Sequence, residues 1–178
     1  MTLLGIFEEA GELCHAQLKS EQNIRGDLDL HDREMADAIG DLMIYSMNYL
    51  SGRGESIESF TPRNDVKPVG AEGFRQIRAS VKAVYKLVAK IEDGPSIHNS
   101  VHKVIYQLAY LCALKGWDLE GIVRNTWKCV GLRDWKNHPE TGLPPGVEKP
   151  QNPAPALSQN SNQAHQVQSA VMPPSASA

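Results

Sequence analysis

Apolar residues recur every three or four positions along most of the chain, which is the spacing of one face of a helix. No stretch alternates between apolar and polar residues as a half-buried strand does. Glycine and proline mark the breaks between the periodic segments. The pattern therefore predicts an all-α fold, a bundle of about five helices. The predicted helix starts are Leu3, Asp32, Ala71, Ser96 and Asp118.

The composition changes from Pro144 onward. Seven of the eleven prolines lie there, together with many Ser, Gln, Asn and Ala residues and no aromatic residue. Such a segment cannot bury enough apolar surface to offset the entropy of ordering it. The sequence predicts a helical domain over residues 1–143 and a disordered, dispensable tail over residues 144–178.

The segment from Glu34 to Leu50 is apolar almost all the way round, with one narrow polar stripe. A helix of this kind should be largely buried, so its carboxylates are carried toward the interior. Each buried carboxylate costs several kcal/mol unless a cation or hydrogen-bond donors meet it. We therefore expect a positive group beside this stripe. Its polar members are Glu34, Asp37, Asp41 and Asn48.

A second acidic cluster lies one helix upstream, where Glu9 and Glu12 are three residues apart and share a helix face. Helices joined by a short connection usually pack antiparallel, which would bring the two clusters together. An oxygen-only site of this kind suits Mg²⁺ or Mn²⁺. The alternative is two solvated faces on surface helices. The candidate metal ligands are Glu9, Glu12, Glu34, Asp37 and Asp41.

Two apolar surfaces point to self-association. The first helix carries Leu3, Leu4 and Phe7 with no preceding segment to cover them, and the third helix carries a heptad seam. Symmetric pairing is the usual way to bury such surfaces, so we predict a homodimer, or a homotetramer built from such dimers. The predicted seam is Phe74, Ile77, Val81, Val84, Val88 and Ile91. Leu18 and Trp127 are predicted to face the core.

Charge and cysteine content exclude several classes of protein. A net charge of −3 and a pI of about 6.1 argue against a polymeric nucleic acid as partner. Three scattered cysteines without a CxxC pair indicate a reducing, cytoplasmic setting. The N-terminus becomes acidic too early for a signal peptide. The most apolar run, Val104–Leu114, is too short to span a membrane, so no membrane partner is expected.

The segments LGIFEEAGELCHAQLK and ADAIGDLMIY resemble the MazG-like all-α nucleoside-triphosphate pyrophosphatases. That family carries EExxE on one helix and ExxD on the next. Here EEAGE supplies the first motif, and Glu34 with Asp37 forms a literal ExxD. The later segment GWDLEGIVRNTWKCVGLRDW is similar to the family's closing helix. The resemblance covers about residues 3–50 and 100–137.

The ExxD motif has a second possible register. In much of the family the motif Asp precedes two or three apolar residues and an aromatic residue, which here describes Asp41 and Tyr45. In that register Ala38 stands where the family has Glu, and Glu34 or Asp37 would supply the missing ligand. The family also usually has a helix before EExxE. Another segment, or another subunit, would then close the pocket.

The resemblance implies hydrolysis of a nucleoside triphosphate to a monophosphate and pyrophosphate with Mg²⁺ or Mn²⁺, in a role such as housecleaning of the nucleotide pool. Glu8 or Glu9 would orient the attacking water. One alternative is a catalytically impaired nucleotide-binding or regulatory module. Another is a di-iron carboxylate bundle, because Glu12 and His15 form one ExxH motif, although such bundles need two. The candidate substrate-binding residues are Tyr45, Asn48, Lys128 and Arg133.

Overall fold

The computed structural model describes residues 2–54, 70–91, 97–134 and 136–147. These ranges contain helices and turns but no β-strand, which confirms the all-α fold for this part of the chain. Most of the predicted tail, and the predicted start of the fourth helix at Ser96, lie outside the described residues. The helices are α1 (Thr2–Gln22), α2 (Leu28–Ser51), α3 (Gly70–Ala89), α4 (Ile97–Lys115) and α5 (Leu119–Gly131).

The turn between α1 and α2 sets where α2 begins. Gly26 adopts φ +139°, which only glycine tolerates readily, and the chain reverses there. Asp27 then caps α2, since its side chain accepts a 2.8 Å hydrogen bond from the backbone N–H of Leu30. The predicted cap at Asp32 is wrong. Asp32 lies inside α2 and accepts a 2.6 Å hydrogen bond from Lys115 of α4.

Helices α1 and α2 pack against each other in antiparallel orientation. Near one end of the pair, a Cβ added to Gly5 would lie 2.6 Å from the ring of Tyr45. Near the other end, Lys19 reaches Glu34. Only glycine allows this close approach at position 5, because the Tyr45 ring occupies the space that a Cβ atom would take. The acidic face of α1 therefore runs along the polar stripe of α2, as the sequence predicts.

Helix α5 packs on α2 at a second glycine. A Cβ added to Gly40 would lie 2.8 Å from the Cβ of Thr126, a separation that real side chains do not reach. Thr126 is buried at this contact. Because Asp41 follows Gly40, this approach places α5 beside the polar stripe of α2.

Most residues of the heptad seam of α3 are buried within one chain. Val81, Val84, Val88 and Ile91 are buried in the core, where α3 packs on α4 and α1, whereas Phe74 is 69% exposed. The seam therefore leaves little uncovered surface to argue for a partner, and the predicted homodimer or homotetramer stays a prediction. None of the helices in the described ranges combines the length and apolarity needed to cross a bilayer.

Two predicted core positions are wrong. Leu18 is 50% exposed because the buried stripe of α1 runs through Ile6 and Leu13, and Leu18 lies about 140° round the helix from Leu13. Trp127 is 56% exposed because its neighbour Thr126 is the residue that faces α2. Successive residues of a helix point about 100° apart, so both cannot face the same neighbour.

Candidate functional site

Glu9 is a buried carboxylate between α1 and α2. Its side chain is almost fully enclosed, with 8% of the residue exposed. Its Oε2 atom lies out of reach of solvent and has no hydrogen-bond partner among the described residues. Buried polar atoms in folded proteins nearly always have a partner, and an exception calls for an explanation such as a bound ion. The orphaned oxygen is the strongest indication of a ligand in the described part of the chain.

Four further carboxylates surround Glu9. Burial, first of all, and the charges of these neighbours on both helices together raise the pKa of Glu9 to about 8. Asp41 is the strongest of these neighbours and Asp37 the weakest. The structure therefore brings together most of the carboxylates that the sequence singles out. We call this group the carboxylate cluster: Glu8, Glu9, Glu12, Asp37 and Asp41.

Tyr45 and Arg133 lie at the same end of the cluster. Burial raises the pKa of Tyr45, as do the charges of Glu9, Asp41 and Glu8, whereas the charge of Arg133 opposes the rise. The tyrosine hydroxyl is thus within electrostatic range of three carboxylates and of the guanidinium of Arg133, which follows α5. This end of the cluster combines anionic groups, an aromatic ring and a cation.

The other two predicted substrate-binding residues lie on the surface. Asn48 is exposed one turn beyond Tyr45 on α2, and Lys128 is exposed on α5, five residues before Arg133. Lys128 is not among the charged groups that shift the pKa of Glu9 or Tyr45. Their role in substrate binding stays a prediction.

Glu34 stands apart from the cluster, at the other end of the polar stripe. Lys19 donates a 2.8 Å hydrogen bond to its Oε1 atom, and the Nδ1 atom of His31 lies 3.5 Å from its Oε2 atom. Burial raises the pKa of Glu34, but the hydrogen bonds and charges of Lys19 and His31 outweigh it, so the net pKa is lowered. Glu34 is therefore held as an ionised partner of Lys19.

A cavity of about 260 Å³ opens beside the Lys19–Glu34 ion pair. It extends from this ion pair to Glu12 and Asp37 of the carboxylate cluster. We call it the Lys19 cavity. Its lining residues are Glu12, His15, Ala16, Lys19, Glu34 and Asp37.

Lys19 and His31 lie beside the site but were not predicted from the sequence to belong to it. Lys19 follows Glu12 by seven residues, two helical turns along the same face, so its position beside the stripe was readable. His31 is fully buried, and its Nε2 atom has no hydrogen-bond partner among the described residues. It precedes the buried Met35 by four residues, which places it on the buried face of α2. With α2 taken to begin at Asp32, that periodicity was not applied to His31.

The donor set fits a hard divalent cation, although it is not arranged as a finished metal site. Carboxylate oxygens are the ligands that Mg²⁺ and Mn²⁺ prefer, and the Oε2 atom of Glu9 lacks any other partner. In the described ranges, however, no three His, Cys, Asp or Glu side chains are grouped closely enough to hold an ion.

Comparison of the chain with protein-family models, curated proteins and solved structures finds no match.

Proposed function

We propose that the protein hydrolyses a nucleoside triphosphate to the monophosphate and pyrophosphate in a Mg²⁺-dependent reaction. The observation that carries this proposal is Glu9, a buried carboxylate with an orphaned oxygen and four acidic neighbours. A protein interior tolerates such a group when a cation completes it. The resemblance of the two acidic helices to MazG-like pyrophosphatases supplies the reaction class.

The roles follow from the positions of the side chains. Glu9, Glu12, Asp37 and Asp41 would hold Mg²⁺, with Glu34 as a further candidate. When bound, Mg²⁺ neutralises phosphate charge and lowers the pKa of a coordinated water. Positioning and electrostatics account for most of the catalysis of phosphoryl transfer.

The remaining residues of the site would handle the proton and the substrate. Glu8 is exposed at the edge of the cluster, where it would accept a proton from the attacking water. Arg133 would pair with phosphate oxygens, and the Tyr45 ring would contact the nucleoside. Attack of water on the α-phosphorus breaks its bond to the bridging oxygen, and pyrophosphate leaves.

The rival function is nucleotide binding without turnover. Ala38 is buried in the core at 1% exposure, at the position where one register of the motif calls for Glu. In that register the site lacks one of the carboxylates that the MazG-like family carries. Such a module would bind nucleoside triphosphates with Mg²⁺ and release no pyrophosphate.

The deciding experiment measures pyrophosphate release from a panel of canonical and modified nucleoside triphosphates, with Mg²⁺ or Mn²⁺. We expect Glu12→Gln to lower kcat at least about 100-fold, because removing an electrostatic group of the site costs on the order of 10²–10³. Glu120→Gln is the matched control, since Glu120 is highly exposed on α5.

Three results would distinguish the proposed hydrolysis from its alternatives. Unchanged turnover in a folded Glu12→Gln protein would reject its assignment as a ligand. Saturable nucleotide binding without pyrophosphate release in the unsubstituted protein would favour the binding module. Stoichiometric iron in the purified protein would favour the di-iron alternative.

A further inference from the structure

We infer that Lys19 is a built-in counter-cation that holds Glu34 and competes with a divalent cation for it. Lys19 is then a positioning residue, which decides whether Glu34 joins the other carboxylates as a ligand and so sets the affinity of the site for the cation. The inference rests on the cation site of the proposed function, but not on the hydrolysis of a nucleotide.

The first support is the geometry at Glu34. One carboxylate oxygen accepts the hydrogen bond of the Lys19 ammonium at 2.8 Å, and the other faces the ring of His31 at 3.5 Å. Both oxygens are therefore engaged. A metal ion that used Glu34 would compete with the ammonium for the charge of one carboxylate, because each of its oxygens already faces a nitrogen atom.

The second support is the position of the ion pair in the Lys19 cavity. Glu12 and Asp37, both members of the carboxylate cluster, line the same cavity of about 260 Å³ as Lys19 and Glu34. The ammonium thus lies within the electrostatic reach of the proposed ligands. A divalent cation entering the cavity would meet the positive charge of Lys19 and a carboxylate already neutralised by it.

The neighbouring acidic residue of α1 does not compete for Lys19. Glu21 accepts hydrogen bonds from Arg78 at 2.7 Å and from Gln17 at 2.9 Å, and its second oxygen pairs with Arg78 at 2.6 Å. Glu21 is satisfied by these contacts from α3 and from its own helix. Lys19 is left to Glu34, with side-chain exposures of 18% and 33% that weaken solvent screening.

This arrangement distinguishes the two ends of the polar stripe. At the Asp41 end, the orphaned oxygen of Glu9 marks where a cation is needed. At the Glu34 end, Lys19 already supplies a positive charge. The first divalent cation is therefore expected at Glu9 and Asp41, and Glu34 becomes available only when Lys19 is withdrawn.

The test measures Mn²⁺ binding to the whole chain in the absence of nucleotide. The electron paramagnetic resonance signal of free Mn²⁺ reports how much of the ion is bound. Lys19→Met should lower the Mn²⁺ dissociation constant about fivefold, the factor that corresponds to the upper range for a partly exposed ion pair. Lys19→Arg should leave it within about twofold, because the charge and the ion pair are kept. Lys103→Met, an exposed lysine of α4, is the control for loss of one positive charge.

Glu34→Gln completes the cycle. In the unsubstituted background it should change Mn²⁺ affinity less than about twofold, because Glu34 is already occupied. In the Lys19→Met background it should abolish the fivefold gain. Circular dichroism establishes that each variant is folded. If Lys19→Met unfolds the protein, Lys19→Arg still tests the inference. A change of more than twofold in Mn²⁺ affinity for Lys19→Arg, in either direction, would oppose it.

Three results would overturn the inference: Mn²⁺ binding unchanged by Lys19→Met, a gain of equal size in the double variant, or a large loss on Glu34→Gln alone. Absence of Mn²⁺ binding in every variant would remove the cation site as well. A fivefold gain that depends on Glu34, in a protein that releases no pyrophosphate, would support the inference while the proposed hydrolysis fails.

Discussion

Replacing Glu9 with Gln should stabilise the metal-free protein at alkaline pH. Gln has nearly the same shape as Glu but never ionises, so it removes the charge that the α1–α2 interface resists. Burial and four neighbouring carboxylates raise the pKa of Glu9 from 4.5 to about 8. Ionisation of this side chain in the folded state is therefore unfavourable, and the fold bears that cost whenever the solution is basic.

The sign and size of the effect follow from the two pKa values. Below pH 4.5, Glu9 is protonated in both the folded and the unfolded protein. Between pH 4.5 and about 8, the unfolded chain gives up the proton that the folded chain keeps, so the free energy of unfolding falls as pH rises. The loss is complete above about pH 8. A pKa change of one corresponds to about 1.4 kcal/mol, which gives a total of about 5 kcal/mol before local relaxation reduces it.

The assay is urea unfolding of the two proteins in EDTA at intervals from about pH 5 to 9. We expect Glu9→Gln to match the unsubstituted protein within about 1 kcal/mol near pH 5 and to exceed it by about 2–5 kcal/mol near pH 9. Glu120→Gln should follow the unsubstituted protein throughout. Added Mg²⁺ should stabilise the unsubstituted protein more than Glu9→Gln, since a ligand of the native state raises its stability by mass action. Parallel pH profiles for Glu9→Gln and the unsubstituted protein would refute the reasoning.

Three glycine substitutions test the close approaches that shape the site. Gly5→Ala should push the Tyr45 ring aside, which should raise KM for the nucleotide and lower the stability by about 1 kcal/mol. Gly11→Ala, with nothing near its added Cβ, should stabilise the protein by about 0.5–1 kcal/mol and leave KM unchanged. Equal KM values in the two variants would count against the Tyr45 role. Gly40→Ala should cost about 1–3 kcal/mol in urea unfolding, and Thr126→Ala in the same chain should restore part of the loss. No rescue would show that Thr126 is not the obstacle.

The pairing of α1 with α2 was predictable because two independent patterns agreed on it. The stripe of α2 was too narrow for a solvated face, and the acidic spacing of α1 matched it from the other side of a short connection. Both patterns depend only on helical periodicity, which a sequence displays directly. Periodicity does not tell whether Asp37 or Asp41 acts more strongly on Glu9, because residues one turn apart on one stripe look alike in sequence. In the structure the charge of Asp41 raises the pKa of Glu9 more than that of Asp37 does.

The errors arose where a choice depends on the tertiary structure. Asp27 and Asp32 are both acceptable caps, and the reversal of the chain at Gly26 selects the earlier one. Leu18 is as apolar as Leu13, but only one of them faces α2 and α3 once α1 has docked. The spacing of Lys19 from Glu12 places it on the acidic face of α1, but its pairing with Glu34, fifteen residues away on another helix, follows only from the packing of α1 on α2.

Three residues at the contacts of α2 work against stability: Gly5 where α1 packs on it, Gly40 where α5 packs on it, and Glu9 between α1 and α2. A glycine inside a helix costs roughly 0.5–1 kcal/mol relative to alanine, and both Gly5 and Gly40 accept that cost at contacts with Tyr45 and Thr126. Glu9 adds a buried charge whose ionisation the fold opposes, and alanine or leucine there would be simpler to bury. Sequences depart from local structural preferences chiefly where function requires it. The two glycines are accounted for by the close approach of Tyr45 and Thr126, whereas the cost at Glu9 has no such counterpart in packing and is what the proposed cation would offset.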